Sequence, residues 1–270
     1  MWTLPGPIKP CRKVALQIDI EKITKAYAHA QKPAHVVLKD ISFTIAPGDF
    51  VIILGESGCG KTTLLNLLAG LEHPDKGCIR ADGKTITGIH PSRSMLFQQP
   101  ALLPWLTVWE NVAYGCKIRN DTDKLDYRVN QFLEIMGLTG FADAPPGRLS
   151  LGMAQRVCLA RALVGHPRVL LLDEPFASLD TFTQAHIQEE LVNLWLSENF
   201  TAVFVTHDID EAIYLGNKII LLAGEPANIS DTFTVAEPYP RDRNHPRFAE
   251  IRNSILERFK NAYLAKRTLL

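Results

Sequence analysis

Gly55, Gly58, Gly60, Lys61 and Thr62 stand together in the stretch GESGCGKT, directly after the apolar run Phe50–Leu54. Gly, four free positions, Gly, Lys and then a hydroxyl residue is the spacing of a loop that holds a phosphate. Glycine at these positions lets the backbone curl until several N–H groups point at one anion. A helix predicted over Thr62–Ala69 turns its positive N-terminal end toward the same anion. Glu56, Ser57 and Cys59 fill the loop, and Thr63 continues the helix. Lys61 supplies a mobile point charge for the β- and γ-phosphates of a nucleotide. Thr62 supplies a hydroxyl suited to Mg²⁺. A glycine-rich surface turn with a stray lysine would need neither the buried strand before it nor the helix after it.

A second group of chemistry-bearing residues ends another apolar run. Val169–Leu172 leads straight into Asp173 and Glu174. A rigid strand aims both carboxylates. Asp173 is placed to hold Mg²⁺, and Glu174, expected on the other face of the chain, to polarise an attacking water. Read alone, Glu174 is equally a helix-capping or surface acid. His207 follows a third apolar run, Ala202–Thr206.

The elements that must position these residues follow from periodicity. Val14, Leu16, Ile18 and Ile20 alternate with polar residues, as do Ile41, Phe43 and Ile45, and both stretches read as half-buried strands. The runs 50–54, 169–172 and 202–206 read as fully buried strands. Ser94–Phe97 reads as a short strand and Ile219–Ala223 as the final one. Thr107 and Glu110 form a capping box ahead of a short helix. Leu125, Val129, Phe132 and Met136 follow helical spacing, and Gln184–Leu196 forms a helix. Asp208 caps another, with Glu211 at its third position and Gly216 closing it. Buried strands alternating with helices imply an α/β fold with a mainly parallel sheet covered on both faces. Ligands in such sheets sit beyond the carboxyl ends of the strands, where the loop, Asp173 and His207 all fall.

The expected organisation is a tail over 1–13, a core over 14–97 and 166–225, a helical insertion over 98–165, and an extension over 226–270. The prolines and arginines of 225–247 read as an extended connector. Phe248, Ile251, Ile255, Phe259 and Tyr263 then mark an amphipathic helix. It either docks on the core or meets a membrane surface or a partner.

Bulk properties narrow the function classes. Lys plus Arg and Asp plus Glu number 29 each over 270 residues, so no global field draws the chain to nucleic acid or anionic lipid. The five cysteines include no CxxC pair and read as free thiols of a reduced compartment, not as a disulfide scaffold or zinc site. The N-terminus lacks the apolar segment of a secretory signal. No apolar run reaches the roughly 20 residues that span a bilayer. Work at a membrane would need another subunit as anchor.

Together the residues carry GESGCGKT, Gln98 within LFQQP, LSLGMAQR over 149–156, LLLDEP over 170–175, SLD over 178–180 and VTHD over 205–208. In this order they resemble the ATPase subunit of an ATP-binding cassette (ABC) transporter across residues 14–225. The resemblance implies a phosphate-loop NTPase core with N-terminal antiparallel strands and an inserted helical subdomain. It implies ATP and Mg²⁺ as cofactors and the following roles. Gln98 contacts Mg²⁺ or the attacking water and links the site to the membrane partner. His207 bonds the γ-phosphate and helps place Glu174. Tyr27 stacks on adenine, its alternative being a half-buried core tyrosine. Ser150 and Gly152 grip the γ-phosphate of ATP held by a second copy, and Asp180 shapes that interface. Leu151 and Met153 replace the Gly and Gln of the common LSGGQ, and Leu151 adds bulk at a close contact.

PALLPWLTVWENV over 100–112, LLLDEPFASLDTFT and PRDRNHPRF resemble the branch that serves importers of nitrate, sulfonates and taurine. The branch implies that Leu102–Leu106 helps form a groove for a permease helix, local core packing being the alternative use of that stretch. The implied partners are a second copy of the chain, permease subunits and, indirectly, a secreted or periplasmic solute-binding protein, with no nucleic acid. The implied location is peripheral, on the cytoplasmic face of the inner membrane. Another ABC system, a soluble non-transport cassette protein and a module that binds ATP without hydrolysing it are the alternatives.

Overall fold

The structure, a computed structural model, describes residues 15–29, 32–177 and 179–267. The tail over 1–13, Val14, Ser178 of the SLD motif and the side chain of Tyr263 lie outside the described residues. In chain order the strands are β1 (Ile18–His29), β2 (Lys32–Ile45), β3 (Phe50–Gly55), β4 (Lys76–Ala81), β5 (Lys84–Thr85), β6 (Arg93–Leu96), β7 (Val169–Asp173), β8 (Thr201–Thr206), β9 (Lys218–Gly224) and β10 (Ala227–Thr234). They form one sheet in the order β5-β4-β1-β2-β10-β9-β3-β8-β7-β6. The block β9-β3-β8-β7-β6 is parallel, while β5, β4, β1 and β2 pair antiparallel. The mainly parallel α/β sheet with antiparallel N-terminal strands is therefore as the sequence leads one to expect.

The helices are α1 (Lys61–Ala69), α2 (Val108–Ile118), α3 (Leu125–Ile135), α4 (Leu151–Leu163), α5 (Thr181–Glu198), α6 (Ile209–Leu215) and α7 (Pro246–Arg267). Strand alternation divides the core between the two faces of the sheet. Val51 and Ile53 of β3, Leu171 of β7 and Val203 and Val205 of β8 pack with Leu64, Leu65 and Leu68 of α1. Phe50, Ile52 and Leu54 of the same β3 pack on the other face with residues of α2 to α7. Each buried Leu, Ile or Phe contributes about 1.5–3 kcal/mol relative to exposure. Both faces of β3 are thus covered, and its carboxyl end is held at a fixed height and direction.

Local signals act as their chemistry requires. The Thr107 hydroxyl accepts from Glu110 N at 3.2 Å, and Thr107 N donates to the Glu110 carboxylate at 2.9 Å, so the capping box is complete. Asp208 Oδ1 accepts from the backbone N–H groups of Asp210 and Glu211 and starts α6.

Three elements differ from the sequence-based expectation. Residues 219–223 are not the last strand: β10 returns antiparallel to β9, inside what reads as a connector. Ala227 and Ile229 pack on the α1 face of the sheet, and after a bulge between Ile229 and Asp231 Phe233 packs on the opposite face. A hairpin, β4 and β5, turns at Asp82-Gly83, with Gly83 at φ 73°. The first strand begins at Ile18 and runs to His29, well past the alternating stretch. The C-terminal helix docks on the core through Ile255, fully buried, and Phe248, with Ile251 and Phe259 partly covered. Among the described residues no helix is long and apolar enough to cross a membrane.

Candidate active site

The loop Gly55–Thr62 links the buried β3 to α1, and its backbone could be made by few residues other than glycine. Gly58 and Gly60 lie at φ 81° and 101°, in the left-handed region. A Cβ at Gly60 would also stand 2.7 Å from Val37 Cγ1 and 2.9 Å from Leu38 Cδ2. Lys61 is only 5% exposed, and its ammonium donates to the carbonyl oxygens of Gly55 at 2.9 Å and Glu56 at 2.8 Å. Ser57 lies in the exposed turn of the loop. The Cys59 side chain packs close against Gly55, and burial pushes its thiol up from the ordinary value, so it stays neutral.

Parallel register brings the other strand ends alongside. Leu54 of β3 pairs with Thr206 of β8, Asp173 of β7 with Val205 of β8, and Leu96 of β6 with Leu172 of β7. His207 therefore follows beside Gly55, and Gln98 lies as far beyond Leu96 as Glu174 does beyond Leu172. Gln98 is exposed there.

The side chains converge. The Thr62 hydroxyl donates to Asp173 Oδ1 at 3.1 Å. Lys61 Nζ lies 3.6 Å from Glu174 Oε1, and His207 Nδ1 lies 3.3 Å from the same oxygen. Glu174 does not take the other face of the chain. Its φ of 42° breaks strand alternation, and its N–H donates to Val205 O at 3.1 Å, which swings the carboxylate over the loop. Burial raises the Asp173 carboxyl above its usual value, helped by the Glu174 charge and opposed by the Thr62 bond and Lys61. Thr62 and Asp173 together present hard oxygen donors from two elements. Among the described residues no group of three or more His, Cys, Asp or Glu could enclose a metal ion. A set of one hydroxyl and one carboxylate suits Mg²⁺, which typically takes few protein ligands and completes its shell with phosphate oxygens and water.

Tyr27, on β1, reaches the same helix start: its hydroxyl lies 3.5 Å from Thr63 Oγ1 and donates to the Glu72 carboxylate at 2.7 Å. Burial would raise the Glu72 carboxyl, but bonds from Tyr27, Asn66 and Lys25 outweigh it and hold the carboxyl low.

Ser150, Gly152 and Asp180 form a separate group. Ser150 Oγ accepts from Met153 N at 3.2 Å and caps α4. Asp180 accepts from Thr183 N at 3.0 Å and caps α5, a bond that holds its carboxyl below the usual value. The two helix starts touch, since a Cβ at Gly152 would stand 3.0 Å from Leu179 Cδ2. Among the described residues no hydrogen bond or ion pair joins this group to Lys61, Thr62, Asp173 or Glu174. Leu151, 55% exposed, and Phe182, 90% exposed, leave an apolar surface around the two helix starts.

Sequence reasoning passed over three polar residues near these groups. Glu72 holds Tyr27, and its distance in sequence hid the contact. Asn111, fully buried, accepts from Leu103 N at 2.8 Å and donates to the carbonyls of Leu103, Leu106 and Thr107. It thereby moulds the loop 102–106 and leaves Trp105 73% exposed. Glu211 reads as a capping partner, yet its carboxylate is buried in a network of its own. A polar residue within an apolar helical stripe was the available signal for both Asn111 and Glu211.

The comparisons with known proteins agree with this geometry. The family model described as ABC transporter matches residues 38–177. An aliphatic sulfonates import ATP-binding protein of Bacillus cereus is 42% identical over 254 residues, covering 94% of this chain and 100% of the relative. Its counterpart in Bacillus subtilis (strain 168) is 42% identical over 247 residues, covering 92% of this chain and 95% of the relative. A solved dimeric ATP-binding cassette in a post-hydrolysis state, bound to ADP and Pi, superposes with a TM-score of 0.72 at 30% identity, covering 82% of this chain and all of that one. With a strand-end site of this form, a matching family model and relatives along nearly its whole length, the chain belongs to the ABC transporter family.

Proposed function

We propose that the chain is the ATP-hydrolysing subunit of an importer for a sulfonate, taurine, nitrate or a related small solute. The carrying observation is the meeting of Lys61, Thr62, Asp173, Glu174 and His207 at one sheet edge, where contacts of 3.1–3.6 Å join Thr62 to Asp173 and Glu174 to both Lys61 and His207. The printed function of the Bacillus relatives supports the solute class.

The loop N–H groups over 55–63 and the start of α1 bind the phosphates, and Lys61 turns its ammonium from loop carbonyls to phosphate oxygens. Tyr27 offers its ring to the adenine. Thr62, Asp173 and Gln98 would hold Mg²⁺, which when bound would supply positive charge to offset that of the phosphates. Glu174 accepts a hydrogen from the attacking water and orients it, and His207 keeps the Glu174 carboxylate in place. Catalysis of this kind is mostly positioning and charge stabilisation.

Ser150 and Gly152 serve the nucleotide of a second copy, with Asp180 at the seam. The exposed apolar surface around them and the dimeric solved relative support such a pairing. Residues 14–225, the span expected for the nucleotide-binding unit, are completed by β10, which lies in the same sheet between β2 and β9. The helical stretch 98–165 carries the contact to permease subunits through the loop with Trp105, and the segment after β10 is the appended extension. The chain sits peripherally on the cytoplasmic face of the membrane, and a secreted or periplasmic solute-binding protein feeds the permease. The test is purification in complex with permease subunits, followed by ATP hydrolysis measured with the solute-binding protein and each solute added. Sulfonate-dependent stimulation is expected, and a complex indifferent to sulfonate, taurine and nitrate would contradict the solute assignment.

A further inference from the structure

Glu211 is a buried carboxylate that the hydrolysis site does not use directly. It lies in the first turn of α6, 8% exposed. Its Oε2 accepts from the Thr206 hydroxyl at 2.6 Å, and its Oε1 accepts from the amides of Gln184 at 2.6 Å and Gln188 at 2.9 Å. All three donors are neutral. The Thr206 hydroxyl in turn accepts from Asp208 N at 3.0 Å, so it bridges the chain across His207. Glu211 N donates to Asp208 Oδ1 at 3.1 Å and ties the far side of the same turn. The His207 side chain is itself 56% exposed, and its bond to Glu174 is long at 3.3 Å. The turn around it therefore does most of the aiming.

The network reaches a remote segment. Gln188, fully buried on α5, accepts at its Oε1 from Arg243 Nη2. The Arg243 guanidinium also lies 4.5 Å over the Tyr214 ring of α6. Arg243 stands between β10 and α7, in the segment that Phe248 and Ile255 anchor to the core. An unbroken run of hydrogen bonds thus leads from Arg243 through Gln188, Glu211 and Thr206 to the backbone on either side of His207.

We propose that Glu211 is a positioning residue for His207, and that Arg243 locks Glu211's partners, so the C-terminal extension sets the geometry of the hydrolysis site. The inference rests on the reading of His207 given above. Arg243 orients the Gln188 amide by holding its oxygen, which turns the amide N–H toward Glu211. Loss of Arg243 frees that amide to flip. Glu211 then lacks a donor, and the turn that carries His207 loosens.

The test uses the full chain with Arg243→Ala, Arg243→Lys, Glu211→Gln and His207→Ala. Turnover, ATP affinity and the His207 ring signals in ¹H–¹⁵N spectra are read for each, His207→Ala serving to assign the signals. Arg243→Ala and Glu211→Gln are expected to lower kcat about tenfold to a hundredfold, the scale of a small misplacement of a catalytic group. ATP affinity should stay within about twofold, since ground-state binding is not touched. The His207 signals should move in both variants, and Arg243→Lys should restore most of the turnover. Unchanged turnover, or unmoved His207 signals, in Arg243→Ala and Glu211→Gln would overturn the proposal. If His207→Ala itself keeps full turnover, the assignment of His207 fails instead, and the ring signals still decide whether Arg243 and Glu211 set the turn.

Discussion

The ammonium of Lys61 lies 3.6 Å from the carboxylate of Glu174, which joins the phosphate loop after β3 to the strand end of β7. The two residues come from different elements, and each is mostly buried, at 5% and 16% side-chain exposure. Strand register alone would not bring them together. The left-handed backbone at Glu174 does, by turning the carboxylate over the loop. One charge of each sign thus shares the place where a γ-phosphate and its attacking water must meet.

Lys61→Ala removes the donor that the Gly55 and Glu56 carbonyls now hold. A bond to a charged group contributes about 1.5–3 kcal/mol, so ATP affinity should fall roughly 10- to 100-fold. Calorimetric titration of the full chain with ATP checks this. An affinity within about twofold of the natural chain would place the phosphates elsewhere.

Asn111→Ala leaves the N–H of Leu103 and the carbonyl of Leu106 without the side-chain partner, while the carbonyls of Leu103 and Thr107 keep the backbone N–H groups of Leu106 and residue 111. Stability should drop by about 2–4 kcal/mol, because buried backbone groups lose their bonds. Trp105→Ala, on the surface of the same loop, should leave unfolding unchanged within about 0.5 kcal/mol and weaken co-purification with permease subunits. Chemical denaturation and pull-down separate the two effects.

Leu151→Gly tests the departure from the common signature. The leucine is exposed and is not one of the buried core residues of α4. ATP affinity of the isolated chain should not change. ATPase activity of the assembled transporter should rise, because a side chain is removed from the approach to the second copy. Equal or lower activity would mean that the leucine packs usefully against its partner.

Glu211 contributes a pH dependence of its own, beside those of Asp173 and Glu190, whose carboxyls burial also raises. Burial raises its carboxyl above 4.5, so the folded chain binds this proton more tightly than the unfolded one. Stability therefore falls as pH rises from 4.5 through the raised value, and the cost of the ionised group persists above it. Glu211→Gln removes that slope. Thermal midpoints across the acidic range should show the variant gaining on the natural chain as pH rises through this window and holding its gain at neutral pH. A constant difference at all pH values would contradict the origin given for the shift.

Much of this site was legible in the sequence because local chemistry dictates it. The glycine spacing of the loop, the apolar runs of β3, β7 and β8 and the caps at Thr107 and Asp208 each reflect constraints within a few residues. What escaped depends on distant partners. The strand β10 buries Ile229 on one face and Phe233 on the other across a bulge, with exposed polar residues between them, so Asn228–Thr234 lacks both the apolar run and the regular alternation that mark a strand. The Asp82-Gly83 turn was a readable hairpin signal in a stretch whose strands are mostly polar. The direction of Glu174 depends on a single backbone angle that strand alternation does not reveal. The partners of Glu211 come from α5 and β8, and their meeting is a property of the packed fold.

The central claim, that Glu174 serves hydrolysis while the loop serves binding, is tested most directly by Glu174→Gln. ATP affinity and hydrolysis of the purified chain should be measured side by side. Affinity should match the natural chain, the ATP-bound form should accumulate as a dimer, and the steady-state rate should fall at least about 100-fold. A rate within about twofold of the natural chain, with binding intact, would contradict the assignment of Glu174 and move the chemistry to another residue.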